Sequence, residues 1–212
     1  MTTVAELRAE TRATARAQLR DLALDAARAA AIERGWGAVR ISEVAAVIGT
    51  SRQTLHTEFG TKDNLGQALI SREAILFEDG VAQRLAAHPR DLGAAVYDAA
   101  SFALHAAATN PLLQTALSNA DGAGGTLLPS LTTRSEPLIS RGVELVSTWF
   151  ISQWPDTNSN DVRTMAESLV RLVISHAIAP TVTREVAAGD VALVAYRWRG
   201  LPEPALRRPE AD

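Results

Sequence analysis

The feature that most constrains the fold is a three-residue turn, Gly49-Thr50-Ser51, between two short helical segments. Ser42 and the apolar residues that follow it up to Ile48 predict an N-capped helix of about two turns that Gly49 ends. Ser51 predicts the cap of a second helix over Arg52–Phe59, which Gly60 ends. Two short helices joined in this way form a helix-turn-helix, although any hairpin of two helices could use the same turn.

The second helix has an apolar face and a polar face. Leu55 and Phe59 are four residues apart, so they must pack together on the preceding helix. An ordinary surface helix would carry several Glu/Lys pairs on its other side. Here the outward residues are mostly uncharged and able to form hydrogen bonds: Arg52, Gln53, Thr54, His56 and Thr57. Because Gln can bond bidentately to adenine and Arg to guanine, while Thr offers a methyl group to thymine, this set predicts the reading of a DNA major groove.

The rest of the chain also predicts helices. Alanine, the strongest helix former, is abundant, while the aromatic residues that favour strands are only 5% of the 212 residues. A long helix is predicted from Val4 to Arg34, with Gly35 as its stop. Asp63 is expected to cap a helix to about residue 87, and further helices are predicted over 92–108, 131–154 and 161–187, with a glycine-rich mobile loop over 119–126. A final helix over 191–198 is favoured over an isolated strand, so the chain is expected to be all-α.

The segment from Ala23 to Leu65 resembles a known protein family. It is similar to the DNA-binding domain of the TetR family of bacterial transcriptional regulators. The matching positions are Ala26-Ala27, Glu33-Arg34-Gly35-Trp36, Ile41, Val44-Ala45, Gly49, Ser51, Thr54-Leu55, Phe59, Lys62 and Leu65. The resemblance implies an N-terminal three-helix helix-turn-helix DNA-binding domain, residues 1–65, and a C-terminal helical bundle for ligand binding and dimerisation, residues 66–212. The segment 58–63 resembles an actinobacterial branch associated with fatty-acid-like or alkane-related ligands.

The resemblance also implies roles for individual residues. Arg40 and Ser42 would approach the phosphates of one strand, and Lys62 would anchor a phosphate at the start of the next helix. Bases or sugars would face Thr50, Arg52, Gln53, Thr54 and Thr57. For Lys62 the alternative is an ion pair with Asp63 or Glu58.

Three positions depart from the family pattern. His56 stands where a phosphate-contacting tyrosine is usual, so it is expected near the backbone or simply in solvent. Glu58 would repel phosphate unless it turns away from the DNA. Ala31 replaces a bulky aromatic residue, and Ile32 is expected to fill part of the gap.

The charge is unevenly distributed. The net charge is −3, but residues 1–62 carry +2 and residues 63–212 carry −5. This asymmetry is expected of a DNA-binding module joined to an acidic regulatory body. Arg8, Arg12 and Arg16 share one helix face, which is either solvated, paired with Glu6 and Glu10, or part of an arm that contacts phosphate.

The C-terminal helices contain candidates for an effector pocket. An apolar lining with few polar groups is expected from Phe102, His105, Leu113, Leu117, Trp149, Phe150 and His176. The same residues fit an ordinary core, above all His105 and His176. The segment Met165–Ile178 is apolar on more than one face, which predicts burial on both sides. By the resemblance, the last two long helices form a homodimer interface.

Several function classes are excluded by what the sequence lacks. It has no cysteine and no Gly-x-Ser-x-Gly, His-Glu-x-x-His, P-loop or Gly-x-Gly-x-x-Gly motif, so an enzyme is not expected. The histidines at 56, 88, 105 and 176 lack metal-ligand spacing, and no metal or cofactor is expected. The start of the chain does not resemble a signal peptide and residues 99–120 are too polar to span a bilayer, which predicts a cytoplasmic protein without membrane contact.

These observations predict a homodimeric, one-component transcriptional regulator. It would act as a repressor on a pseudo-palindromic double-stranded DNA operator and be released by an apolar or weakly polar small-molecule effector. The alternative is a helical ligand carrier or partner-binding protein that does not read DNA.

Overall fold

The computed structural model describes residues 3–112 and 135–200. Within these ranges the chain forms eight α-helices and one short 3₁₀ turn, and no strand. The all-α prediction is therefore confirmed. The helices are α1 (Val4–Arg34), α2 (Ile41–Val47), α3 (Arg52–Phe59), α4 (Lys62–Ala86), α5 (Leu92–Thr109), α6 (Ser135–Gln153), α7 (Ser159–Ile178) and α8 (Arg184–Trp198), with the 3₁₀ turn at Trp36–Ala38.

The described residues divide into two compact units, and the division between Glu73 and Ala74 falls inside α4. The first unit contains α1, α2, α3 and the first half of α4. Its buried core residues are Ala23, Leu24, Ala27, Ala31, Trp36, Val39, Val44, Ala45, Leu55, Phe59, Leu65 and Leu69. The second unit contains the second half of α4 and helices α5 to α8. None of the described helices is long and apolar enough to cross a membrane.

The turn between α2 and α3 follows from its sequence. Gly49 has a φ of +69°, which residues with a Cβ rarely adopt. Its N–H and that of Thr50 donate to the carbonyls of Ala46 and Ala45 at 3.2 and 2.9 Å, the two hydrogen bonds of a Schellman C-terminus. Ser51 then caps α3, because its hydroxyl accepts from the Thr54 N–H at 3.0 Å. The predicted bounds of α3 are confirmed.

Two predicted helix starts are wrong by one residue or more. Ser42 is not the cap of α2, because the Arg40 carbonyl already accepts from the N–H groups of Glu43 and Val44 at 3.0 and 3.1 Å. Ser42 therefore lies inside the first turn. Similarly, Asp63 does not cap α4. Thr61 stands before the helix and its hydroxyl accepts from the Asn64 N–H at 3.1 Å.

Charged side chains join α1 to the first half of α4. Arg28 Nε donates to Glu73 Oε1 at 2.8 Å, and the Glu73 side chain is buried. Arg72 binds Asp25 at 2.8 Å and also donates to the carbonyl oxygen of Asp21 at 3.2 Å. These contacts hold α1 and α4 together, although the paired residues are more than 40 positions apart in the chain.

The core of the second unit lies where α5, α6, α7 and α8 meet. Small residues on α8 allow a close approach to α5: Ala187, Ala188, Ala192 and Ala195 are buried there. Gly93 of α5 lies directly under the ring of Tyr196, leaving no room for a Cβ. Phe150 is fully buried, and its ring and that of Trp198 meet edge to face at a centroid distance of 5.6 Å.

One predicted helix in this unit is wrong. The helix expected over 161–187 is two helices, because α7 ends at Ile178 and α8 begins at Arg184. Pro180 lies in the break and cannot continue a helix, and Thr183 caps α8 by accepting from the Val186 N–H. The final helix expected over 191–198 is confirmed as part of α8. The predicted start near 131 and the loop over 119–126 lie outside the described residues.

Candidate nucleic-acid interface

Helix α3 presents the polar face that the sequence predicts. Leu55 is fully buried and Phe59 nearly so, which fixes the helix against the core of the first unit. On the opposite side, the structure brings together five exposed side chains on two turns: Arg52, Gln53, Thr54, His56 and Thr57. A helix of this length and exposure fits the width of a major groove.

Local hydrogen bonds divide this set into two groups. The Thr54 hydroxyl lies 2.9 Å from the Ser51 hydroxyl, and the Thr57 hydroxyl donates to the Gln53 carbonyl at 2.9 Å. In the part of the chain that the structure describes, the side chains of Arg52, Gln53 and His56 make no hydrogen bond or ion pair. Their donors and acceptors are therefore available for base edges or phosphates, whereas each threonine hydroxyl already has one local partner and keeps only part of its hydrogen-bonding capacity.

The residues expected at the DNA backbone lie around the start of α2 and at the turn. Arg40 precedes α2, and its side chain is 78% exposed, with Glu43 no nearer than 3.9 Å. Glu43 is closer to Arg34, at 3.2 Å. Ser42 is exposed on the first turn of α2, and Thr50 is half-buried at the turn.

Lys62 has neither of the ion pairs that were the alternative to a phosphate contact. Its Nζ donates to the Gly37 carbonyl at 3.0 Å and lies 5.4 Å from the centre of the Trp36 ring. An ammonium group has three donor hydrogens, so one hydrogen bond to Gly37 leaves two for other acceptors. The lysine thereby joins the start of α4 to the corner after α1, and it makes no ion pair with any residue that the structure describes.

Glu58 is turned away from the exposed face of α3. Its side chain is only 8% exposed and binds Arg16 at 2.5 Å and Arg20 at 3.2 Å, both on α1. Arg20 also lies 4.9 Å from the centre of the Phe59 ring. The expected repulsion of phosphate is thus avoided. Ala31 is buried and Ile32 is 39% exposed, so the expectation that Ile32 fills part of the gap stays a prediction.

The candidate effector residues are dispersed over the second unit. Phe102 is half-buried, and its ring packs against Gly80. The centre of the Phe102 ring lies 5.9 Å from that of Phe77 and 4.9 Å from the Arg84 guanidinium carbon. Trp149 is half-buried beside Leu85, Ala95 and Ala99. His176 is half-buried, and His105 is exposed, so the interpretation of His105 as a core residue is wrong. Leu113 and Leu117 lie outside the described residues.

Sequence reasoning missed two buried polar groups on α6, the Ser147 hydroxyl and the Trp149 indole N–H. The indole N–H of Trp149 is buried and has no hydrogen-bond partner among the described residues. Buried N–H groups are seldom left unpaired in folded proteins. No pattern along the chain indicates this, because the pairing of an indole depends on what other helices place next to it.

Two family models match separate parts of the chain. Residues 23–69 match the model described as bacterial regulatory proteins of the tetR family. Residues 91–197 match the C-terminal domain of the bacterial tetracyclin repressor. The chain is also 33% identical over 177 residues to the HTH-type transcriptional regulator AlkX of Mycobacterium tuberculosis, covering 84% of this chain and 83% of the relative.

Solved structures show the same fold. The TetR-family repressor AlkX from Dietzia sp. strain DQ12-45-1b, implicated in biodegradation of n-alkanes, is 26% identical and superposes with a TM-score of 0.63 over 86% of this chain and 98% of its own. A TetR-family regulator from Mesorhizobium loti, 16% identical, superposes with a TM-score of 0.66 over 87% and 96%. The second likeness concerns the fold alone. This chain belongs to the TetR family and is a DNA-binding transcriptional regulator, not an enzyme.

Proposed function

We propose that this protein is a homodimeric repressor that reads a pseudo-palindromic operator through α3 and leaves it when an apolar effector binds. The observation that carries the proposal is the exposed face of α3, where Arg52, Gln53 and His56 have no partner among the described residues. A carrier that does not read DNA, the alternative interpretation, does not agree with membership of the TetR family.

In this proposal Gln53 and Arg52 contact base edges, and His56 takes the place of the family's tyrosine near the backbone. Thr54 and Thr57 contribute methyl groups or sugar contacts. Arg40, Ser42, Thr50 and Lys62 would contact phosphates or sugars and set the register of α3 in the groove. Phosphate contacts of this kind position a protein, whereas base contacts specify the sequence.

A dimer is proposed because one eight-residue helix reads only a few base pairs. Two copies of α3 about 34–36 Å apart would reach successive major grooves on one side of the duplex. Within the single chain the fully buried residues of α7 lie on one side, so burial of the other side stays a prediction that requires a second copy. Val170, Val173 and Ile174 are half-buried and Ile178 is 57% exposed. This apolar surface is available for a second copy, and homodimer interfaces are usually more apolar than the rest of a protein surface.

The proposed effector is a long aliphatic molecule with one hydrogen-bond acceptor. The second half of α4, with α5 and α6, forms an apolar cluster that includes Val81, Leu85, Ala99 and Val146. The Trp149 indole N–H borders this cluster without a partner among the described residues. The implication of the Dietzia relative in n-alkane biodegradation agrees with such a ligand. The effector would release DNA only to the extent that it binds the non-binding conformation more tightly.

The DNA-binding part can be tested by selecting genomic fragments with the purified protein. A regulator should enrich a symmetric sequence, and its affinity should fall steeply with salt through counterion release. Sedimentation of the protein with the selected operator should give two chains per duplex. Enrichment of no sequence, or one chain per operator, would contradict the proposal.

The effector part can be tested on the same operator with matched ligands. An n-alkane, the primary alcohol and the fatty acid of the same chain length would each be titrated against the complex. We expect the oxygenated ligands to release DNA at lower concentration than the alkane, and this difference to disappear in Trp149→Phe. Trp198→Phe, which removes another packed indole, should retain the difference.

A further inference from the structure

The first half of α1 extends beyond the segment that matches the family's DNA-binding model. The matched segment begins at residue 23, whereas the helix begins at Val4. Every side chain described between Thr3 and Gln18 is exposed, so these turns do not pack into the core of their unit. An isolated helix of this length is marginal in water, because most helical stability comes from packing. The capping box of Thr3 and Glu6 and the abundant alanine support the helix, but they do not account for its purpose.

Residues Val4–Arg20 form an arm. It carries four arginines at intervals of four residues: Arg8, Arg12, Arg16 and Arg20. At about 100° per residue they occupy roughly a third of the helix circumference. Glu10 lies about 160° from Arg12 around the axis. The Glu6 carboxylate accepts from the Thr3 N–H at 2.6 Å, which holds it at the helix start and lowers its pKa. One side of the arm is therefore positively charged.

The arginine row is joined to α3 at one end. Arg16 and Arg20 both bind the Glu58 carboxylate, which is on the last turn of α3. Arg12 and Arg8 continue the row about 6 and 12 Å farther along the axis from Arg16. Neither makes an ion pair in the described ranges of the chain, since Glu6 is held by Thr3 and Glu10 points away. Two unneutralised guanidinium groups thus project from a helix that is anchored to the DNA-reading element.

We propose that Arg8 and Arg12 bind phosphates of the DNA that flanks each half-site, which makes the arm a second DNA-contacting element. This inference rests on the proposed operator binding by α3. Guanidinium groups bind phosphate oxygens bidentately, and the arm has the charge but not the apolar surface of a membrane-binding helix, since Val4 and Leu7 are its only large apolar residues before Leu19. The arm would add affinity and footprint without adding sequence specificity.

The test uses the full-length protein and two duplexes. The trimmed duplex ends at the boundaries of the selected operator, and the flanked duplex has several added base pairs on each side. The variant is Arg8→Gln with Arg12→Gln, which keeps good helix formers in exposed positions. The matched control is Arg90→Gln with Arg184→Gln, which removes the same charge from exposed positions in the second unit outside α7. Circular dichroism and sedimentation should show the same helicity and assembly in all three proteins.

On the flanked duplex, we expect the arm variant to bind more weakly than the parent. The slope of log affinity against log salt should become shallower by about 0.9 for each phosphate that the variant no longer binds. The footprint should shorten at both ends, and the order of preference among operator sequences should not change. On the trimmed duplex the arm variant and the parent should differ less, and the control should match the parent on both.

Two results would overturn the arm's role while leaving operator binding intact: equal slopes for parent and arm variant on the flanked duplex, or an equal loss of affinity in the control pair. Failure of the parent to select any DNA would instead contradict the proposed function itself. The two failures are therefore distinguishable in one set of titrations.

Discussion

Lys62 Nζ donates a hydrogen bond to the Gly37 carbonyl oxygen at 3.0 Å, across 25 positions of the chain. The bond fixes the first residue of α4 against the corner that follows α1, with the Trp36 ring beside the ammonium group. A lysine held in this way has lost much of its side-chain freedom before any DNA arrives. It would therefore lose less entropy on binding phosphate than a freely moving lysine would.

Replacing Lys62 with Ala should weaken binding to operator and to unrelated DNA by the same factor. A phosphate contact carries no sequence information, and its removal should lower the salt slope by about one. Affinity titrations at several salt concentrations on both duplexes measure this. A change confined to the operator, or an unchanged slope, would show that Lys62 does not bind phosphate.

Replacing Gln53 with Ala should alter sequence preference. Its amide is exposed on α3 and unpaired among the described residues, so it can bond to a base edge, and the substitution should cost ~1–3 kcal/mol at one base pair. Selection from a randomised operator library identifies the position. Gln67→Ala, at an exposed glutamine on α4, is the control and should leave the preference unchanged. An unaltered preferred operator in Gln53→Ala would refute direct readout by this residue.

Replacing Gly93 with Ala should destabilise the second unit. A Cβ at Gly93 would overlap the Tyr196 ring, and overpacking of this kind costs about 1–3 kcal/mol. Gly189→Ala is the matched control, because it is also helical and has open space around its Cβ position. That change should be neutral or stabilise by up to about 1 kcal/mol. Urea unfolding of both variants decides the point, and equal stabilities would contradict the close approach of α5 and α8.

The stability of the protein should fall at high pH partly through Tyr196. Burial first, and then the nearby Asp91 carboxylate, raise the pKa of Tyr196 above its ordinary value of 10.0. The folded state therefore holds this proton more tightly than the unfolded state does. The contribution of Tyr196 to folding stability is fully present below its pKa in the unfolded state. It is lost as the pH rises through its pKa in the folded state.

The test measures urea unfolding of the parent, Tyr196→Phe and Tyr97→Phe at pH values from below the pKa of Tyr196 in the unfolded state to above its pKa in the folded state. The loss of stability with rising pH should be shallower in Tyr196→Phe, which has no phenol to ionise at this position. In Tyr97→Phe, phenolate absorbance should show Tyr196 titrating at higher pH in the folded than in the unfolded protein. Coincident titrations would show that the Asp91 contact and the burial have no such effect.

Much of the first unit could be predicted because its signals are local. Gly35, Gly49 and Gly60 all have positive φ at the helix ends where the sequence predicts stops. The end of α1 and both ends of α3 follow from Gly35, Ser51 and Gly60. The division of α3 into a buried and an exposed face follows from the four-residue spacing of Leu55 and Phe59. The helix break at Pro180 is also a local feature, but the apolar pattern continues on both sides of it and so predicts a single helix.

The sequence by itself determined the all-α fold, the helix-turn-helix and the polar residues on α3, since each depends on neighbours within one or two helical turns. Only the tertiary structure decided which distant residues the charged side chains of Glu58 and Lys62 contact. Glu58 binds Arg16, 42 positions away, instead of remaining on the exposed face of α3, and Lys62 binds the Gly37 carbonyl instead of an acidic neighbour. Such pairs depend on how helices pack, and periodicity along one helix carries no information about which side chain of another helix will lie opposite.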